Sequence, residues 1–350
     1  MSVQSEFINF NNRIKLDYDV RSELAEKRDI LIGKLRDSGK LPAFEKYDQG
    51  SYALHLGVEP IDDKEYDIDV GLRFNENMCD YEPMELKEII SDILKNHTEY
   101  GSEIKKPCVT VTYQEDGEPS YHVDIVVYTY EDKNDTESQM YLARGKNKDS
   151  DETCWEKSDP VGLVNYINDT VDKGETRNQF RRCVRYLKRW KNKRFDSSGH
   201  SEPASIGITL IAVDFFSDCN NYEANNDLCA LKKLVDKMLS LFETEEYDFE
   251  GDRWLYRLTY PMPNALKFES ETDAFCKMTN IQMTDFKDKL DKLYRDLDEV
   301  EKEPDEKEQC KKLNKIFGDD FNIPETKKVS KIQNNYIPAS SASGGSKWLI

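Results

Sequence analysis

The sequence predicts an α+β protein with a mixed β-sheet in its amino-terminal lobe and a helical carboxy-terminal lobe. The first half contains runs of β-branched and aromatic residues at positions 66–70, 109–113 and 121–128, which indicate strands. The second half places apolar residues three and four positions apart, a spacing that is typical of amphipathic helices. The predicted helices there span residues 160–170, 177–194, 204–216, 227–242, 283–300 and 307–317.

Chain length sets the domain organisation. A chain of 350 residues can bury two modest cores with a cleft between them. We expect a catalytic lobe over residues 1–155, which includes a spine helix at 22–37 and a helix at 83–95, and a helical lobe over residues 156–321. The small and polar run at 338–346 predicts a flexible tail over residues 322–350.

Three acidic side chains in the predicted strands indicate a metal site. Asp67 and Asp69 are two residues apart, so they share one strand face, while Ile68 and Val70 point into a core. Close carboxylates share a proton or recruit a divalent cation, and oxygen ligands favour Mg²⁺ or Mn²⁺ over Zn²⁺. Asp124 supplies a third carboxylate from the strand at 121–128. We therefore predict that these three aspartates are the catalytic residues and bind two Mg²⁺ ions, with Mn²⁺ as a substitute.

A glycine-serine turn comes before the paired carboxylates. Gln49, Gly50 and Ser51 precede a short segment that is compatible with a helix. Glycine lets the backbone approach a ligand closely, and amides at a helix start bind phosphate oxygens. These residues are the predicted binding site for the phosphates of a nucleoside triphosphate.

The order of these motifs resembles the CD-NTase family, the bacterial relatives of the animal cyclic GMP-AMP synthase. The resemblance rests on residues 47–74, which contain the turn at 49–52 and the strand at 66–71. It extends to residues 107–111, 180–190 and 205–207, and it covers most of residues 1–320.

The resemblance implies a two-lobed, polymerase-β-like nucleotidyltransferase fold and a specific activity. Such an enzyme joins nucleoside triphosphates, ATP or GTP or both, into a cyclic di- or trinucleotide second messenger and releases pyrophosphate. In bacteria these synthases belong to CBASS antiviral systems, in which the product activates a downstream effector. Many operons also encode a ubiquitin-ligase-like enzyme that modifies the synthase's carboxy terminus, which makes such an enzyme a candidate partner of the tail. An ordinary frayed terminus is the alternative.

The helix predicted at 177–194 is the expected source of cations for the triphosphate. It carries nine arginines and lysines and an apolar stripe, and most of these cations are interpreted as a solvated face. By resemblance, Lys188 contacts phosphate together with Ser205. The long spacing between these two residues leaves the choice between Lys188 and Lys191 open.

The motifs leave two other functions open. A nucleotidyltransferase that modifies an RNA end, a protein or a small-molecule acceptor needs the same carboxylates. A catalytically silent nucleotide-binding scaffold has no need of them. The net charge of −19 disfavours long nucleic acid as a partner, because its backbone is also negative.

Compartment and base recognition are predicted from weaker signals. The chain shows no membrane-length apolar run and no signal-peptide pattern, so we expect a cytoplasmic protein without a membrane partner. Its eight scattered cysteines argue against structural zinc. Candidates for base recognition are Tyr47, Tyr256, Tyr260 and Asn264, whereas His122, on the face of Asp124, is expected to be packed and hydrogen-bonded.

Overall fold

A seven-stranded mixed sheet forms the first lobe of the computed structural model, which describes residues 2–16, 18–61, 66–115, 118–148, 152–196, 201–263, 266 and 272–324. The strands β1 (Phe44–Asp48), β2 (Tyr66–Asn77), β5 (Glu118–Tyr130), β4 (Val109–Glu115) and β3 (Ser102–Ile104) lie side by side in that order. β6 (Met140–Arg144) and β7 (Cys154–Ser158) extend the sheet from the end of β5. β2 and β5 run parallel and the other pairs antiparallel, which confirms the predicted mixed sheet.

Two helices cover one face of this sheet. α2 (Tyr18–Asp37) and α4 (Pro83–Leu94) pack against alternate residues of β2, β4 and β5, such as Val70, Val111 and Val123. Because strand side chains alternate, the residues between these apolar positions lie on the opposite face. The predicted carboxylates are therefore on the face turned away from α2 and α4.

The second lobe is helical, as predicted. It contains α5 (Pro160–Thr170), α6 (Glu175–Arg194), α7 (Ser205–Ser217), α8 (Asp227–Leu239), α9 (Asn280–Glu301) and α10 (Glu306–Phe317). A large apolar core unites them. The ends of these helices lie within a few residues of the predicted ones, because apolar periodicity is a local property of the sequence.

Several elements were not predicted from the sequence. Among them are α1 (Val3–Ile14) and the hairpin of β8 (Glu243–Asp248) and β9 (Arg253–Arg257). α1 lies in the helical lobe, where Phe7 and Phe10 join the core, and not with the catalytic lobe to which residues 1–155 were assigned. β7 carries the sheet on to Ser158. The domain limits remain a prediction. Within them, α1 belongs with the helical lobe, and β7 extends the sheet lobe beyond residue 155.

Some expectations concern parts of the chain outside the described residues. These are Asn264 and residues 325–350 of the predicted tail. In the described part of the chain, no helix is both long and apolar enough to cross a membrane.

Candidate active site

The three predicted carboxylates lie on one face of the sheet, on neighbouring strands. Asp69 of β2 is paired in register with Asp124 of β5, and Asp67 is paired with His122. The parallel pairing of β2 with β5 brings together residues that are 55 positions apart in the sequence. The structure thus places Asp124 beside the pair at 67 and 69.

The electrostatics of Asp69 reflect this crowding. Burial, followed by the charges of Asp124 and then Asp67, raises the pKa of the Asp69 carboxyl to about 7, and the charge of Lys188 opposes them. Asp67, in contrast, is exposed. A carboxylate held among other carboxylates in a partly dry site gains from a nearby cation.

The donor set fits a hard divalent cation. Asp67, Asp69 and Asp124 offer only oxygen atoms, which Mg²⁺ and Mn²⁺ prefer. Among the described residues, no three His, Cys, Asp or Glu side chains are already gathered closely enough to hold a metal ion. The three carboxylates therefore fit a divalent cation through their donor chemistry and through the raised pKa of Asp69. Among the described residues, they do not form a metal cage in advance.

The glycine-serine turn is anchored directly to the strand of the paired carboxylates. The Gln49 amide donates to the Asp69 carbonyl oxygen at 3.3 Å, and the buried Gln49 side chain accepts a hydrogen bond from the Tyr128 hydroxyl at 3.2 Å. Gly50 has φ of +63° and begins the short helix α3 (Gly50–Ala53). A Cβ atom at this position would collide with the Asp69 carboxylate. Glycine is thus required for both its backbone conformation and its close approach.

We expect Gly50→Ala to lower stability and to abolish activity. The left-handed conformation should cost about 1–2 kcal/mol with a side chain present, and the added methyl would displace Asp69. Gly39→Ala is the matched control, because Gly39 has φ of +61° but open space around its Cβ position. Thermal unfolding should show a loss of stability in both variants, larger in Gly50→Ala because of the collision with Asp69, and only Gly50→Ala should lose the predicted activity. Wild-type activity in Gly50→Ala would contradict the assignment of this turn.

A cavity of about 630 Å³ lies between the sheet lobe and the helical lobe, and each lobe supplies one of its walls. Asp67, Asp69, Gln49, Gly50 and Ser51 line one side of it. Lys188 and Lys191 of α6 and Ser205 of α7 line the other side. The structure therefore gathers the predicted nucleotide-binding residues, together with two of the three carboxylates, around one cavity between the lobes.

Comparison with known proteins identifies the sheet lobe. Residues 44–128, which include the turn and all three carboxylates, match the model of the nucleotidyltransferase domain of the cyclic GMP-AMP synthase DncV-like family. Residues 44–128 are thus similar to a DncV-like nucleotidyltransferase domain. This match confirms the resemblance to CD-NTases that the motifs indicated.

Similar proteins extend the likeness beyond the DncV-like domain. A cyclic GMP-AMP synthase of Escherichia albertii is 25% identical over 235 residues, which is 61% of this chain and 48% of that protein. A c-di-GMP synthase of Roseivirga ehrenbergii is 24% identical over 200 residues, which is 49% of each protein. The chain thus spans about half the length of these curated relatives.

Solved structures share the whole two-lobed fold. Vibrio cholerae DncV with the linear intermediate 5′ pppA(3′,5′)pG superposes with a TM-score of 0.68 at 17% identity, covering 92% of this chain and 97% of that one. The Bradyrhizobium diazoefficiens CD-NTase CdnG with GTP gives a TM-score of 0.68 at 13% identity, covering 91% and 95%. The predicted two-lobed nucleotidyltransferase fold is confirmed.

Both lysines that face the DncV-like domain line the cavity, but they have different partners. The Lys188 ammonium donates to the Leu56 carbonyl oxygen at 2.9 Å. Burial, and then the charges of Lys191 and Arg185, lower the pKa of Lys188 to about 7, while Asp69 acts in the opposite direction. The Lys191 ammonium donates to the Ser205 hydroxyl at 2.8 Å and pairs with Glu202 at 2.5 Å. Both lysines are therefore placed to meet an anion in the cavity.

The interpretation of α6 as a mostly solvated basic face is wrong. Lys188, Arg189 and Lys191 are buried. Most of the other cations bind groups of neighbouring elements, because α6 runs through the middle of the helical lobe and touches α1, α7, α8 and α10. These contacts join Arg182 to Asp227, Arg177 to the Val171 carbonyl, Arg185 to the His55 carbonyl and Arg194 to the Lys315 carbonyl, and the buried Arg189 pairs with Asp320.

The tyrosines predicted to recognise bases do not line the cavity. Tyr47 is packed against Gly71, at which a Cβ atom would collide with the tyrosine ring. Tyr256 faces Lys287, and the Tyr260 hydroxyl donates to Asp214. His122 shares a hydrogen bond of 3.0 Å with Thr112, as its packed interpretation predicted.

Several cavity residues were missed by sequence reasoning. Tyr128 lies four residues beyond Asp124, so extending the strand alternation would have found it. Ser158, Asn192, Glu202 and Thr209 also line the cavity. Their own sequence segments carry no signal for this position, because it results from the packing of the two lobes.

Proposed function

We propose that this chain is a metal-dependent nucleotidyltransferase that joins nucleoside triphosphates into a cyclic di- or trinucleotide and releases pyrophosphate. One observation carries the proposal. A single cavity between the lobes has carboxylates and a glycine-serine turn on one wall and two buried lysines on the other. The site therefore offers ligands for a cation and positive charge for a triphosphate within the same cavity.

The proposed reaction is attack by a ribose hydroxyl on an α-phosphorus. A new P–O bond forms, the bond to the β-phosphate oxygen breaks, and pyrophosphate leaves with its negative charge. Divalent cations, with Mg²⁺ as the preferred ion, would assist the deprotonation of the hydroxyl and stabilise the leaving oxygen. Asp67, Asp69 and Asp124 would hold them.

The remaining residues bind and align the triphosphate. Gly50 and Ser51 are proposed to direct their backbone amides, and Ser51 its hydroxyl, to the phosphates. Lys188 would regain its full positive charge beside the triphosphate, since the anion offsets the burial and the neighbouring cations that lower its pKa. Lys191 and Ser205 would contact the same anion. Alignment and charge neutralisation are the main contributions that such a reaction needs.

Similar proteins support the substrate class. The relatives from Escherichia albertii and Roseivirga ehrenbergii are synthases of cyclic GMP-AMP and of c-di-GMP. Vibrio cholerae DncV was solved with ATP and GTP, and with a linear A-to-G intermediate. We therefore propose ATP and GTP as the first substrates to test. The antiviral role, a downstream effector and modification of the tail are proposals that rest on the CD-NTase resemblance.

Product analysis tests the proposal. The purified chain is incubated with all four ribonucleoside triphosphates and Mg²⁺ or Mn²⁺, and phosphatase-resistant products are identified by mass spectrometry. We expect a cyclic di- or trinucleotide that disappears in the Asp67→Ala and Asp69→Ala double variant. A linear product, or a strict requirement for an added RNA, protein or small-molecule acceptor, would support the alternative transferase instead. Full activity of the double variant would exclude the metal mechanism.

A further inference from the structure

Thr110 contacts the third carboxylate of the candidate site. In the antiparallel pairing of β4 with β5, Thr110 lies directly opposite Asp124. Its hydroxyl donates to the Asp124 Oδ1 atom at 2.5 Å, and only 2% of Thr110 is exposed. Since Asp69 is opposite Asp124 on the other side of β5, the three residues form a row across β2, β5 and β4.

The direction of the hydrogen bonds around Thr110 follows from counting protons. A hydroxyl has one hydrogen, and a carboxylate can only accept, so the hydrogen of Thr110 points to Asp124. The Cys108 sulfur lies 3.5 Å from the same hydroxyl oxygen and must then be the donor. Donation therefore runs from Cys108 to Thr110 to Asp124.

We propose that Thr110 is a positioning residue that holds the Asp124 carboxylate in the orientation needed to bind the divalent cation. This inference rests on the proposed function. The terminal torsion of an aspartate is broad, so a free carboxylate can rotate. A donor at a fixed backbone position removes that freedom before a cation arrives. Hydrogen bonds to metal-binding carboxylates typically change metal affinity about 10- to 100-fold when they are removed.

Thr112 provides a matched control in the same strand. It lies two residues further along β4 on the same face, and its hydroxyl shares a 3.0 Å hydrogen bond with His122 of β5. Thr110 and Thr112 thus make the same kind of cross-strand bond. They differ in whether the partner belongs to the proposed cation site.

Binding of Mn²⁺ alone, followed by electron paramagnetic resonance without nucleotide, tests the inference. We expect Thr110→Val to weaken Mn²⁺ binding about 10- to 100-fold. Thr110→Ser, which keeps the hydroxyl, should bind as the wild type does, and so should Thr112→Val. Thermal unfolding of every variant shows whether it is folded. Thr110→Ala is a second variant without the hydroxyl, and it avoids placing a methyl group against the carboxylate.

The possible results separate the inference from the proposed function. Undiminished Mn²⁺ binding in folded Thr110→Val or Thr110→Ala would overturn the inference and leave the proposed function intact. An equal loss in Thr112→Val would also overturn it, because the effect would then belong to the strand and not to Asp124. Failure of the wild-type chain to bind Mn²⁺ would overturn the proposed cation site itself, and the inference with it.

Discussion

Replacing Asp69 with asparagine should abolish the proposed nucleotide transfer and yet make the metal-free protein more stable at alkaline pH. The loss of activity should reach at least about 1,000-fold, because bound cations stabilise the transition state by several kcal/mol. The gain in stability follows from the raised pKa of Asp69, which shows that the folded chain disfavours the charged carboxylate. Asparagine keeps the shape of the side chain and removes that charge.

The effect of Asp69→Asn on stability depends on pH. In the unfolded chain the Asp69 carboxyl ionises near pH 4, whereas in the folded chain its pKa is about 7. The folded wild type therefore becomes less stable as the pH rises from about 4 to 7, and Asp69→Asn does not share this loss. Because Asp69 faces a water-accessible cavity, we expect a benefit on the order of 1–2 kcal/mol above pH 7, with little benefit near pH 4.

Thermal unfolding in EDTA at pH 5 and pH 8, together with product analysis in Mg²⁺, checks the expectation. Asp67→Asn is the matched control, because Asp67 belongs to the same proposed cation site but is exposed. It should lose activity to a similar degree and gain less stability at alkaline pH, because it removes only one of the charges that raise the pKa of Asp69. An Asp69→Asn variant that retains activity, or that is destabilised at pH 8, would contradict the account of this site.

Replacing Asp227 with asparagine should destabilise the helical lobe by about 3–5 kcal/mol, because it leaves a largely buried arginine without its counterion. Asp227 is fully buried and accepts two hydrogen bonds from Arg182, at 2.7 and 2.9 Å. Gln179 and Tyr186 donate to the same carboxylate at 3.0 and 2.9 Å. The Tyr186 hydroxyl also lies 2.9 Å from the carbonyl oxygen of Phe7 in α1. The carboxylate therefore stabilises the junction of α1, α6 and α8.

Chemical denaturation at several pH values measures this effect. Burial opposes ionisation of Asp227, but Arg182, with help from Gln179 and Tyr186, lowers the pKa of this carboxyl below its usual range. The stabilisation is therefore complete above the unfolded-state pKa near 4 and disappears as the pH falls through the lower folded-state pKa. The gap between wild type and Asp227→Asn should be constant from pH 7 to pH 5 and should narrow below about pH 4.

Asp291→Asn is the control for this ion pair. Asp291 pairs with Lys287 at 2.7 Å on the surface of α9, at the i, i+4 spacing. Such a pair is worth about 0.3–0.5 kcal/mol. Equal losses in Asp227→Asn and Asp291→Asn would show that the buried cluster does not have the special role assigned to it.

Local patterns in the sequence were enough to predict most elements and the main candidate residues. The alternation of residues in β2 and β5 predicted that Asp67, Asp69 and Asp124 lie on strand faces opposite apolar neighbours, since the two-residue repeat of a strand is independent of its partners. The three- and four-residue spacing of apolar residues likewise predicted α5 with its observed ends. The position of Gly50 followed from the need for a close backbone approach.

The tertiary structure alone decided which residues meet. Parallel pairing of β2 with β5 places Asp124 beside Asp69, and antiparallel pairing with β4 adds Thr110 on the other side. The central position of α6 buries cations that a helical pattern assigns to solvent, and it brings Lys188 to the Leu56 carbonyl oxygen. Strand order, lobe packing and the partners of buried charges depend on the free energy of the whole chain, and so no short stretch of sequence specifies them.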